Sequence, residues 1–130
     1  MKHRIRVLIA DDSAPVREIL SRYLGEQSFI EVVGLAEDGD DAVGKTKHLH
    51  PDLVLMDINM PKLNGLKATR IIKAAPHAPK LIVLSLDDDV AFGVAASTAG
   101  ADGFCSKLDT TRALLPMIRS LFPDVTPEEA

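Results

Sequence analysis

The sequence predicts an α/β fold in which five βα units lay down a parallel sheet covered by helices on both faces. Three observations carry that prediction. Short apolar runs alternate with helix-like stretches along almost the whole chain. The strand runs, such as LVLM within DLVLMD, are apolar at both alternating sets of positions, as in strands buried on two sides. A length of 130 residues, with 46% hydrophobic and 26% charged residues, suits one soluble domain with a real core.

The elements follow in order. IRVLIA (5–10) is a first strand, ended by Asp11-Asp12-Ser13. Ser13 suits an N-cap and Pro15 a first helical turn, where its missing N–H costs nothing. Val16, Ile19, Leu20, Tyr23 and Leu24 then recur at helical spacing, giving an amphipathic helix up to Gly25. FIEVVGLA (29–36) is a second strand, and Asp38-Gly39 opens a weaker helix from about Asp40 to Leu49. Pro51 separates that helix from a third strand, DLVLMD (52–57). Gly65 starts a helix through Ile71 and Ile72 to about Ala75, PHAPK is a turn, and LIVLSL (81–86) is a fourth strand. Asp87 to Asp89 suit the N-terminus of a helix running to Gly100. GFCSK (103–107) is a short fifth strand, and Thr110 or Thr111 caps a last helix reaching about Phe122. Pro116 lies inside that segment, so the helix either starts late or kinks. Residues 1–122 therefore read as one domain and 123–130 as a frayed tail or linker stub. Right-handed crossovers and short connections favour a flavodoxin-like, doubly wound three-layer sandwich with strand order 2-1-3-4-5. Ligands of such sheets bind beyond the carboxyl ends of the strands, where strands 1 and 3 part.

Composition excludes several function classes. No apolar run approaches the roughly 18 residues of a membrane span. The basic start is followed by too short an apolar stretch for a secretory signal, which places the chain in the cytoplasm without a membrane partner. The single cysteine, Cys105, cannot form an internal disulfide and reads as a buried strand residue. A net charge of −4 with no basic cluster argues against direct nucleic-acid binding. The four histidines have no metal-ligand spacing and read as surface residues.

Five polar residues fall at the carboxyl ends of the predicted strands: Asp11 and Asp12 after strand 1, Asp57 at the end of strand 3, Ser85 on strand 4 and Lys107 ending strand 5. Each alone has an ordinary explanation, as a helix cap, a turn former, a buried hydroxyl or a solvated charge. Together on one sheet edge they have a chemical one. Clustered carboxylates repel and need a cation. Hard oxygen ligands without His or Cys suit Mg²⁺ rather than zinc or copper. One carboxylate could then attack a phosphoryl donor, with the lysine and the hydroxyl contacting the phosphoryl oxygens.

These residues resemble the receiver domain of two-component response regulators. The resemblance spans roughly residues 4 to 121 and rests on VLIADDS, LVLMDINMPKLNGL, the hydroxyl in LIVLSL, and AGADGFCSK. It implies that Asp57 is the phosphoacceptor and that Asp11 and Asp12 hold Mg²⁺ with Asp57 and the backbone carbonyl of Asn59. It further implies that Ser85 is the switch hydroxyl, Lys107 the phosphoryl contact and Phe104 the aromatic switch residue. Ser85 and Phe104 would move inward on phosphorylation and reshape the face formed by the fourth and fifth helices and the fifth strand. Asn59 and Asp87, two residues beyond Asp57 and Ser85, are expected to shape the rate of phosphoryl loss. The sequence departs from the common pattern in three places. Asn64 replaces the usual aspartate, and Phe104 lacks a tyrosine hydroxyl. Leu108 replaces a proline often preceded by a cis bond, leaving the geometry of Lys107–Leu108 open.

The expected function is a phosphorylation-controlled signalling switch, not an enzyme beyond its own phosphoryl uptake and loss. The resemblance implies a histidine kinase or a histidine phosphotransfer protein as donor and a downstream protein as output. It leaves room for a phosphorylation-dependent homodimer. VVGLAEDGDDAV and GLKATRIIK look like receivers usually joined to a helix-turn-helix domain, although the length favours a stand-alone regulator. Two other classes compete. A phosphatase of the haloacid dehalogenase class would carry a second acid in DxDx(T/V), where this chain has Asn59 in DINM. A phosphate-independent binding module would not need Asp57 and Lys107.

Overall fold

In the first strand, β1 (Ile5–Ala10), strict alternation sends Ile5, Val7 and Ile9 to one side of the sheet and Leu8 and Ala10 to the other. The same division recurs in β3 (Leu53–Asp57) and β4 (Lys80–Ser85). Two cores result, one on each face, which is why these strands read as continuous apolar runs. The computed structural model describes residues 4–58, 60, 62–86 and 90–125. Its five parallel strands, with β2 (Ile30–Ala36) and β5 (Gly103–Ser106), lie in the order β2-β1-β3-β4-β5. This is the predicted doubly wound topology.

Helices α1 (Ala14–Gly25) and α5 (Thr110–Leu121) cover one face with Leu20, Leu24, Leu114 and Ile118. Helices α2 (Gly39–Leu49), α3 (Gly65–Ala74) and α4 (Val90–Thr98) cover the other with Ala42, Ala68, Ile72 and Ala96. The small residues on this second face let three helices approach the sheet closely. Phe122 and Val125, beyond α5, pack against the first core. No helix among the described residues is long and apolar enough to cross a membrane.

The β1–β2 pairing slips once. Val7 pairs with Val32 but Leu8 with Gly34, so Val33 is an extra residue on β2.

Several expected boundaries move. Ser13 caps α1 as predicted, accepting from the Val16 N–H at 3.4 Å. Ile19, expected on the apolar face of that helix, is instead 65% exposed. Leu20 and Leu24 point at the sheet, and a residue one position before Leu20 is rotated about 100° away. Strand β5 ends at Ser106, not Lys107, because the Ser106 hydroxyl accepts from the Leu108 N–H at 3.1 Å and folds Lys107–Asp109 into a 3₁₀ turn. That turn runs directly into α5, so Asp109, rather than Thr110 or Thr111, stands at its N-cap, with no side-chain cap bond. The helix starts at Thr110 and continues through Pro116. The described part of α4 begins at Val90, and Asp87 to Asp89 lie outside the described residues.

Candidate phosphoryl-transfer site

Parity along the strands decides which polar side chains meet. Asp57 follows Leu53 and Leu55 and so faces the α1/α5 side of the sheet, although it ends a strand that is buried throughout. Its neighbour across the switch point is the end of β1, where Asp11 donates its N–H to the Ala36 carbonyl at 3.0 Å. Asp11 is fully buried, Asp57 nearly so, and Asp12 is exposed at the rim. Carboxylate oxygens of Asp11, Asp12 and Asp57 all lie within 4.8 Å of one another.

Lys107 completes the cluster from the turn after β5. Its ammonium lies 2.6 Å from Asp11 Oδ2 and 3.0 Å from Asp57 Oδ1. Burial disfavours the charged amine, but the contacts with Asp11 and Asp57 outweigh it and raise the Lys107 pKa above the usual lysine value. Three carboxylates therefore face one ammonium, a formal excess of two negative charges.

The donor set fits a divalent cation. Asp11 Oδ1 accepts the Ser13 N–H at 2.9 Å, which orients the carboxylate. Asp11 Oδ2 is buried, with the Lys107 ammonium at 2.6 Å as its ion-pair partner. One ammonium does not fill the lone pairs of three carboxylates, and the oxygens gathered here are hard ligands suited to Mg²⁺. Asn59, the fourth expected ligand, lies outside the described residues.

Ser85 and Phe104 sit on the other side of the sheet. Ser85 shares parity with Leu81 and Val83, is buried, and pairs in register with Ser106 at the end of β5. It directly follows Leu84, the register partner of Asp57. Phe104 is half-buried, packs in the α2/α3/α4-side core, and has Gly93 of α4 as a close neighbour. The structure thus gathers Asp11, Asp12, Asp57 and Lys107 into one cluster and places Phe104 away from it, under α4. No peptide bond among the described residues is cis, so Lys107–Leu108 is trans.

Sequence reasoning missed what surrounds the cluster. A cavity of about 460 Å³ opens beside Asp57 and Lys107, lined among others by Val16, Ile19, Leu86 and Thr110. Ile19 and Leu86 are large exposed apolar residues at its mouth, where helical spacing alone assigns Ile19 to the core. The Arg17 guanidinium donates to the Asp11 carbonyl at 2.7 Å, bracing the turn that bears the acidic pair. Cys105 is buried on β5, and burial together with Asp109 pushes its thiol pKa up, which makes it a poor nucleophile.

Comparison with known proteins agrees with this geometry. The family model for the response regulator receiver domain matches residues 7–119. The transcriptional regulatory protein DegU of Brevibacillus brevis is 38% identical over 91% of this chain and 50% of its own. A protein-glutamate methylesterase/protein-glutamine glutaminase of Geobacter metallireducens is 48% identical over 75% of this chain and 28% of its own. The chain thus spans half or less of the length of these curated relatives. Among solved structures, the response regulator domain of Thermotoga maritima CheB is 34% identical, covering 95% of this chain and 96% of that one, with a TM-score of 0.81. A chain of the CheX–CheY–BeF₃–Mg²⁺ complex from Borrelia burgdorferi aligns with a TM-score of 0.84 at 28% identity, covering 92% of this chain and 90% of that one. With a family model over most of its length and an acidic cluster closed by a lysine, the chain belongs to the response regulator receiver domains of two-component signalling.

Proposed function

We propose that this receiver takes a phosphoryl group on Asp57 from a histidine kinase or a histidine phosphotransfer protein. The observation that carries the reading is the Lys107 ammonium bridging Asp11 and Asp57 at the carboxyl edge of the sheet. An Asp57 oxygen attacks phosphorus, the P–N bond of the phosphohistidine breaks, and the released imidazole takes up a proton. Asp11, Asp12, Asp57 and the Asn59 carbonyl would hold Mg²⁺. When bound, Mg²⁺ neutralises charge on the transferring oxygens. Lys107 already contacts Asp57 and would follow the charge onto the phosphoryl group. Ser85, on the other side of the sheet, would turn its hydroxyl toward a phosphoryl oxygen, and Phe104 would respond by repacking beneath α4.

The output is a change in protein binding at the face of α4, β5 and α5. Val90 and Val94 on α4 and Leu108 in the turn are exposed there, a surface suited to a downstream protein or a second copy of the chain. The CheX–CheY complex from Borrelia burgdorferi supports protein binding by a protein of this fold. The receiver works as a switch rather than an enzyme acting on external substrates. The methylesterase activity in the Geobacter relative's name belongs to a protein of which this chain spans 28%.

Incubation with acetyl phosphate and Mg²⁺, followed by intact-mass measurement, tests the reading. One added phosphoryl group, lost in Asp57→Asn, is the expected result. Continuous turnover of phosphate esters would instead mark a phosphatase, and no modification would mark a phosphate-independent module.

A further inference from the structure

Two buried glycines serve space rather than backbone freedom, since Gly100 is the only described glycine with positive φ. A side chain on Gly39, the first residue of α2, would collide with the Leu63 carbonyl. A side chain on Gly65, the first residue of α3, would collide with the carbonyl of Asp57 itself. Both obstacles are main-chain atoms, which cannot swing aside as a long side chain can. The β2–α2 turn therefore presses, backbone to backbone, on the segment leaving Asp57, and the start of α3 presses on Asp57.

Hydrogen bonds tie the two seats together. The Gly65 N–H donates to the Ile58 carbonyl at 3.1 Å, closing the segment into a loop. Asn64 caps α3 by accepting from the Lys67 N–H at 2.9 Å. On the other side Asp38, largely buried, caps α2 through the Asp41 N–H at 2.7 Å, and its second oxygen lies 3.6 Å from the Lys62 ammonium. Lys62 itself holds φ at 64°, a left-handed conformation that lysine rarely adopts. A chain of main-chain contacts thus runs from Gly39 through Leu63 and Gly65 to Asp57.

We infer that Gly39 is a positioning residue for phosphoryl transfer: its bare Cα seats the segment after Asp57 and so sets where the Asp57 carboxylate stands relative to Asp11 and Asp12. Gly39 touches neither the carboxylates nor the reacting atoms. The inference rests on the proposed role of Asp57 and Mg²⁺. Because coupling between sites is reciprocal, a cation bound by the carboxylates must also be felt at Gly39.

The test compares Gly39→Ala with Gly44→Ala, a substitution in the same helix whose added Cβ meets nothing within 4 Å. Mg²⁺ affinity is read from amide chemical shifts of the unphosphorylated proteins, with metal-free urea unfolding alongside. Gly39→Ala is expected to weaken Mg²⁺ binding, and to slow phosphorylation by acetyl phosphate, by about tenfold or more. Gly44→Ala should leave both as in the wild type. A Gly39→Ala protein with a lower urea midpoint but wild-type Mg²⁺ affinity would overturn the inference, because that is the signature of a structural role alone. Should Gly39→Ala not fold, the wild type decides. Mg²⁺ should then shift the amides of Gly39 and Asp41, and changes confined to the neighbours of Asp11, Asp12 and Asp57 would overturn the inference. A wild-type chain that binds no Mg²⁺ at all would bring down the proposed function itself.

Discussion

Lys107 holds the site together before any cation arrives. Its ammonium reaches two carboxylates at 2.6 and 3.0 Å, both on nearly inaccessible residues. Removing it strips two buried carboxylates of their ammonium counterion, so Lys107→Met should destabilise the metal-free protein by about 3 kcal/mol. The pH dependence follows from the direction of its pKa shift. A lysine whose pKa is raised by folding contributes in full below its ordinary value of 10.5, and loses that contribution as pH climbs through the raised value. Urea unfolding of the wild type and Lys107→Met in a chelator should give a constant difference between about pH 7 and pH 9, narrowing only in strong base. A difference that already shrinks near pH 8 would mean that the amine is not held in its charged form.

At the scale of elements, the strands and the helices were legible for different reasons. Strands such as Leu53–Asp57 announce themselves because both of their faces are buried, and a run of apolar residues has no other short solution. The gathering of Asp11, Asp12 and Asp57 was readable too, since a doubly wound sheet sends all its strand ends to one edge. What stayed hidden depended on contacts distant in sequence. The Ser106 hydroxyl turns the chain before Lys107, and only the fold shows that Leu63 lies against Gly39. Helix α5 shows the same limit. Pro116 removes the N–H that would bond to Arg112, yet the helix continues, carried by Leu114 and Ile118 in the core. Pro116 is exposed, so Pro116→Ala should restore that bond and raise stability by about 1 to 2 kcal/mol in thermal or urea unfolding. No gain would show that the turn around Pro116 is already relaxed.

For the whole molecule, the excess of negative charge at the sheet edge sets stability against function. Ions that bind only the folded state stabilise it, by about 2.7 kcal/mol at a hundredfold excess over the dissociation constant. Asp12 is the exposed member of the cluster, so Asp12→Asn relieves repulsion without stranding a buried group. That variant should be more stable than the wild type without metal, by about 0.5 to 2 kcal/mol, and should gain much less from added Mg²⁺. Thermal unfolding with and without Mg²⁺ checks both halves, and equal gains in the two proteins would remove Asp12 from the ligand set.

The slipped pairing on β2 bears on a different property. This strand is an outer edge of the sheet, and its outward N–H and C=O groups would offer a template to another chain. The extra Val33 interrupts their regular spacing, and Glu31 adds an exposed charge on the same strand. The opposite edge, β5, is only four residues long. Neither border gives an incoming strand a long, even ladder, so the sheet resists the edge-to-edge growth that seeds fibrils.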